Sequence, residues 1–221
     1  MKYTMLLLST FLFIACNSNK KETITETNID TTTNHDIVGP ADHEPGMSND
    51  TAVVSNNHLI VPGKSIGLTS LGQDADEASK HLGPPAMEDA AMGKYLDAWY
   101  TIKGKDTVSE VDIFFIRDQS DDKGQSSSVD HIRITSSFFE TKDHVKIGSL
   151  LGNIQKFFQG IKRIATYASP KTKKQVTIYD DNSTGISFEI NDTNNCVGIT
   201  VHQPGATAYE IYNSLFDVKF D

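Results

Sequence analysis

Asp180-x-Asn182-x-Thr184-Gly185 sets oxygen side chains at positions 1, 3 and 5 of a loop with glycine at 6, the spacing with which a calcium loop begins. The bidentate glutamate needed at position 12 is replaced by Asn191, and strand-like runs flank the loop where helices should. Asp118-x-Ser120-x-Asp122 is a weaker copy, with Gly124 one place late. Both suit ordinary acidic hairpin loops. Val61-Pro62-Gly63-Lys64-Ser65 ends like a phosphate-binding loop, but His58 stands where its first glycine belongs and the next helix starts about ten residues too late, so it reads as a turn. His35, His43 and His58 lie among acids in a polar stretch, and His81, His131, His144 and His202 are dispersed without metal-ligand spacing. There is no Gly-x-Ser-x-Gly, His-Glu-x-x-His or Cys-x-x-Cys. The expectation is a protein without catalytic residues, metal or cofactor; the alternative is a hydrolase whose Ser, His and Asp come from distant segments.

The alternating runs carry a second kind of chemistry. One set of side chains is apolar: Leu96/Ala98, Val111/Ile113/Phe115, Ile132/Ile134, Val176/Ile178, Ile186/Phe188/Ile190 and Val197/Ile199/Val201. Period two puts these on one sheet face, toward the helices. The opposite face would then gather Asp97, Trp99, Asp112, Phe114, His131, Arg133, Tyr179, Glu189 and His202. Aromatic residues with arginine make up binding hot spots. Trp99, Phe114, Arg133, Tyr179 and His202 are therefore the candidate protein-binding residues if that face is open. The alternative is that a second layer covers it, and Trp99 is core.

Six runs read as strands: Leu96–Ile102, Val108–Ile116, Val129–Thr135, Lys174–Tyr179, Gly185–Ile190 and Cys196–His202. Asp74 reads as the cap of a helix with Ala75, Ala78 and Leu82 on one face, stopped by Gly83-Pro84-Pro85. Asn153 reads as the cap of another, with Ile154, Phe157, Phe158 and Ile161 on its stripe. A shift of 79 residues lays Ile66-x-Leu68-x-Ser70-Leu71 on Val145-x-Ile147-x-Ser149-Leu150. A second short helix fits around Met87–Gly93. Tyr209, Ile211, Tyr212, Leu215 and Phe216 close the domain as helix or strand. The expected class is α+β: two tandem helix-plus-three-strand repeats, residues 59–143 and 144–221, forming a two-layer sandwich with an antiparallel sheet.

Ahead of the repeats, Lys2 precedes an apolar run from Met5 to Ala15 that ends at Cys16. The run is a secretory signal, too short to span a bilayer, which needs roughly 20 apolar residues. Phe13-Ile14-Ala15-Cys16 resembles the lipobox of bacterial lipoproteins, which implies cleavage after residue 15 and lipid on Cys16. Two or three acyl chains, at about 0.8 kcal/mol per buried methylene, anchor stably. Residues 16–58 hold no aromatic residue and are rich in Thr and Asn, the composition of a disordered tether. Cys196 is then left without an intramolecular partner and reads as a small packed residue. The chain carries −9, and loss of residues 1–15 removes one lysine and no acid. That argues against nucleic acid or an anionic lipid surface as a partner, since both want a basic patch.

Ser70-Leu71-Gly72-Gln73-Asp74 with His81-Leu82-Gly83-Pro84-Pro85, Asp89 and Trp99-Tyr100 resembles the signature of the SmpA/OmlA (BamE-like) outer-membrane lipoproteins. It is also similar to the pattern of the β-lactamase inhibitory protein, a tandem of a helix-plus-sheet unit. The resemblance implies a cell-envelope protein that binds other proteins. The tether and tandem copy resemble lipoproteins of Bacteroidetes-type bacteria. Asn17 is not the aspartate of inner-membrane retention, which favours the outer membrane, and Lys20-Lys21-Glu22 suits surface display. The resulting expectation is a lipid-anchored binding module that contacts the membrane through Cys16 and another envelope protein through its sheet. It could serve as an outer-membrane assembly accessory or as an inhibitor of a secreted or periplasmic enzyme.

Overall fold

The computed structural model describes residues 56–91, 93–103, 106–117 and 126–221. Cys16, the signal segment, nearly all of the tether with His35 and His43, and the Asp118–Gly124 loop lie outside them. A 3-10 turn, Asn56–His58, leads into β1 (Leu59–Val61), β2 (Ser65–Ile66) and β3 (Thr69–Ser70). Helix α1 (Ala75–Lys80) follows, then β4 (Met87–Ala91), β5 (Lys94–Lys103), β6 (Asp106–Arg117) and β7 (Ser127–Ile134). After β8 (Glu140–Thr141) come α2 (Leu151–Phe157), β9 (Lys162–Ala168), β10 (Gln175–Asp181), β11 (Ile186–Asn191) and β12 (Cys196–His202). The chain closes with α3 (Tyr209–Leu215) and β13 (Val218–Phe220).

The expected class of two helix-plus-three-strand repeats does not hold. The described protein is mostly β: a nine-stranded antiparallel sheet in the order β13-β9-β10-β11-β12-β7-β6-β5-β4, and a four-stranded mixed sheet β3-β2-β1-β8 in which β1 and β8 run parallel. Two local misreadings lie behind the error. Met87–Ala91 is the edge strand β4, not a short helix; Glu and Ala favour helix, but pairing with β5 overrides that preference. Lys162–Ala168, unassigned from sequence, is β9, because Lys162, Arg163, Thr166 and Ala168 break the apolar alternation.

The helices are one to two turns long. Asp74 caps α1, its Oδ1 accepting from Asp76 N at 3.0 Å and Glu77 N at 3.3 Å. The chain turns away at Gly83, in the left-handed region at φ 75°. Helix α2 is capped by Leu150, without a side-chain bond, and not by Asn153 as expected. The phosphate-loop-like segment is a turn between β1 and β2, with Lys64 N bonded to Val61 O at 3.0 Å. Gly63 lies so close to the β10–β11 hairpin that a Cβ there would meet Thr184 O at 2.7 Å.

Both faces of the long sheet are covered. On one, Ile113, Phe115, Ile132, Ile134, Phe188 and Ile199 pack with Ile60 and Ile66 of the small sheet, Ala78 of α1 and Ile154 of α2. On the other, Leu96, Phe114, Val176 and Ile178 pack beneath Ala208, Ile211 and Tyr212, so the C-terminal segment forms a helical cover. Tyr212 Oη and Thr200 Oγ1 share a hydrogen bond of 2.9 Å beneath it. A sheet apolar on both faces defeats the inference that every apolar set points to the same helices. Leu96 faces α3 with its cross-strand neighbour Phe114, whereas Trp99 lies opposite Val111 against the α1–α2 core.

Candidate functional site

Period two along β6, β7 and β11 places Asp112, Arg133 and Glu189 on the α3 side of the sheet. Asp112 is the direct cross-strand neighbour of Arg133, but Glu189 lies two strands away, across β12. The side chain of Arg133 bridges that gap. Gly198, paired with Glu189, leaves the room; a Cβ there would sit 2.3 Å from the Glu189 carboxylate carbon.

Arg133 Nε and Nη2 donate to the two Glu189 oxygens at 2.6 and 2.9 Å. Its Nη1 donates to Asp112 Oδ2 at 2.6 Å and to Glu110 Oε2 at 3.1 Å. Tyr167 of β9 donates to Glu189 at 2.7 Å, and the guanidinium lies 5.1 Å from the centre of the Phe216 ring. Arg133, Asp112 and Glu189 are buried, and Glu110 reaches the surface. Burial is the largest single influence and opposes the charge on Arg133, but the charge and hydrogen bonds of Glu189 together with the Asp112 carboxylate outweigh it and hold the guanidinium well above its ordinary range. Burial pushes the Asp112 carboxyl up to about 6; Arg133 opposes the shift and Glu110 adds to it. Burial, reinforced by Glu189, holds the Tyr167 hydroxyl far above its ordinary value, so it remains a donor.

This network floors an open groove of about 930 Å³, to which β6, β7, β9, β10, β11 and β12 all contribute. Phe216 forms one wall and the β9–β10 hairpin, with Lys171, another. Helix α3 packs over the neighbouring part of that sheet face.

The five candidate binding residues divide between the two faces. Phe114, Arg133 and His202 share the α3 side and are buried there; of these, Arg133 lines the groove. Trp99 and Tyr179 are half-buried against the α1–α2 core, and Trp99 Nε1 donates to Gly83 O at 2.9 Å. Cys16 lies outside the described residues. Glu110, Tyr167 and Phe216 were missed. An acid every second residue inside an apolar strand, Glu110 and Asp112, was the available signal. For Tyr167 the local sequence offers none, because its contact depends on strand order.

His202, Asp180 and Ser187 do meet. His202 Nε2 lies 2.9 Å from Asp180 Oδ1, and Ser187 Oγ donates to the same oxygen at 2.7 Å. A nucleophilic triad needs the hydroxyl on the imidazole, with the acid behind it. Here the carboxylate stands between them, and all three side chains are buried. The arrangement suits a polar clamp. With His202 Nδ1 on Gln203 O at 3.0 Å, it fixes the chain entering α3. Asp180 thus turns inward, away from any cation ring, while Asp181 caps its own hairpin through Ser183 and Thr184. Among the described residues no group of His, Cys, Asp and Glu is arranged to hold a metal ion. Burial raises the Cys196 thiol far above its ordinary value, the condition of an inert packed side chain.

No family model, curated protein or solved structure matches this chain.

Proposed function

We propose that this chain is a lipid-anchored, non-catalytic protein-binding module of the cell envelope, tethered to the outer membrane through Cys16, which takes its partner into the groove over Arg133. The groove is the observation that supports this reading. It is a part of the α3-side sheet face that α3 leaves uncovered, and its floor is a hydrogen-bonded charge network built before any ligand arrives. Preorganised, buried arginine beside aromatic walls is what a tight interface uses at its centre. The Ser187–Asp180–His202 order argues against the hydrolase alternative, since the hydroxyl has no base on it.

Two experiments test the two halves. Metabolic labelling with radioactive palmitate should mark the wild-type chain and not Cys16→Ser; label retained in the variant removes the anchor. Affinity capture with the full-length protein from detergent-solubilised envelopes should yield a defined partner that is lost in Glu110→Lys. That change reverses the charge at the exposed edge of the groove and removes the outermost partner of Arg133, while Asp112 and Glu189 stay in place; Trp99 fluorescence checks that the fold is kept. Identical captures from the two proteins would place binding elsewhere. A captured enzyme whose activity falls on binding would select the inhibitor role over that of an assembly accessory.

A further inference from the structure

Strands β5, β7 and β11 finish, and β6, β10 and β12 begin, at one end of the long sheet. Several large apolar side chains reach solvent there. Ile102 and Val108 flank the β5–β6 hairpin, Phe138 follows β7, and Leu150 is bridged to Asn195 of the β11–β12 hairpin. Leu68 reaches the same end through the turn after β2. Its neighbour Gly67 lies so close to Phe139 that a Cβ there would meet the ring at 2.8 Å, and the Phe139 and Phe138 rings stand edge to face at 5.1 Å. Each of the five is more than half exposed. Single apolar side chains are ordinary on a surface, but a group of them at one end marks a place that something covers.

The free charge at this end is positive, which the chain total of −9 conceals. The β9–β10 hairpin carries Lys171, Lys173 and Lys174 and no acid. Acids nearby are already paired: Asp192 with Lys174 Nζ at 2.8 Å, Glu140 with Lys146 Nζ at 3.3 Å and Glu110 with Arg133 at 3.1 Å. Lys171 and Lys173 are exposed and form no ion pair among the described residues. The described chain also starts here, with the His58 ring stacked 3.6 Å from that of Phe138. A flexible coil as long as the stretch from Cys16 to Asn56 spans roughly 35 Å. Lipid on Cys16 would therefore hold this end near the bilayer at an effective concentration on the order of millimolar, enough to populate a weak contact. We propose that this end sits on an anionic bilayer surface. Leu68, Ile102 and Phe138 enter the headgroup region, and Lys171 and Lys173 pair with lipid phosphates. The choice of a bilayer as occupant rests on the anchored reading proposed above. The groove over Arg133 shares Val108 and Lys171 with this end, so it opens at the bilayer surface and its partner is met there.

The test places a dansyl amino acid at Ser137, beside Phe138, or at Gln203, exposed just past β12 at the opposite end of the sheet, in the full-length protein. The probes are vesicles of phosphatidylcholine with phosphatidylglycerol, and vesicles of phosphatidylcholine alone. On the mixed vesicles, emission at Ser137 should rise at least threefold and move to the blue, with no change at Gln203. The rise should fall at least twofold on phosphatidylcholine alone, in the double variant Lys171→Gln/Lys173→Gln, in Leu68→Ser and in Phe138→Ser, exposed changes whose folds are verified by circular dichroism. Flotation with the vesicles reads the anchor separately, and Cys16→Ser should need at least tenfold more lipid for the same rise. Equal lipid demand in Cys16→Ser and wild type removes the anchor, while the rise at Ser137 still supports the contact. No rise at Ser137 at saturating lipid overturns the proposal, whether or not the chain floats. Equal changes at Ser137 and Gln203, or a rise untouched by the lysine and apolar variants, also overturn it. So does a rise that follows protein concentration without lipid, which assigns this end to a second copy of the chain.

Discussion

Replacing Arg133 with methionine removes the cation that Glu189 and Asp112 share while keeping much of the aliphatic volume of the side chain. Glu189 is 0% exposed and Asp112 1%, so neither carboxylate can turn to water without opening the sheet. Tyr167 still donates one hydrogen bond to Glu189, which does not replace the paired donation from Nε and Nη2. Removing one partner of a buried ion pair costs about 3–5 kcal/mol, because the remaining charge stays desolvated. Domains are stable by only about 5–15 kcal/mol. With a urea slope near 2 kcal/mol per molar, the unfolding midpoint should fall by about 2 M. Trp99 is the one tryptophan and packs against the α1–α2 core, so its fluorescence reports unfolding without a label. Adding Glu189→Gln and Asp112→Asn to Arg133→Met should recover more than half of the loss, since neutral amides strand no charge. A stability of Arg133→Met within about 1 kcal/mol of wild type would refute the reasoning, and so would failure of the triple variant to recover.

Two further outcomes follow from the same network. The Asp112 carboxyl sits near 6 in the fold against an ordinary value of 3.8, so folding favours its protonated form. A raised value of this kind gives stability that is complete below about 4 and fades as pH climbs through 6; for Asp112 it amounts to on the order of 3 kcal/mol. Asp97, raised to about 6 by burial and by Glu88 across the strand pair, acts in the same direction. Urea midpoints should therefore rise on acidification from pH 7 to 5, with a smaller rise in Asp112→Asn; equal slopes in the two proteins would contradict the assignment. Gly198→Ala places a methyl 2.3 Å from the Glu189 carboxylate carbon. It should cost about 1–3 kcal/mol in the same assay by overpacking, and a neutral result would mean that Arg133 does not need that passage.

Much of the strand content was legible in the sequence because it rests on local alternation. Cys196–His202 was read with its observed limits, and the run Leu96–Ile102 lies inside β5. The cap at Asp74 was legible because a carboxylate two and three residues before free N–H groups is a local arrangement. What failed was non-local. Met87–Ala91 is extended only because β5 pairs with it, and Leu96 and Val176 face α3 only because the C-terminal segment returns to cover that face. Bulges at Phe114/Phe115 and Glu189/Ile190 broke the phase carried along each strand. The same division holds at the groove. Asp112, Arg133 and Glu189 fell on one face by counting twos, but their meeting requires the order β6-β7-β12-β11 and a glycine at 198. Trp99 and Tyr179, chosen as aromatics of that face, pack on the other.

The proposed binding role is tested most directly by a photoreactive amino acid placed at Thr172, on the groove wall, and at Glu88, on the edge strand β4, in the full-length protein in intact cells. The account predicts a discrete crosslinked product from position 172 that position 88 does not give and that Glu110→Lys abolishes. The same product from both positions, or none from 172, would contradict it.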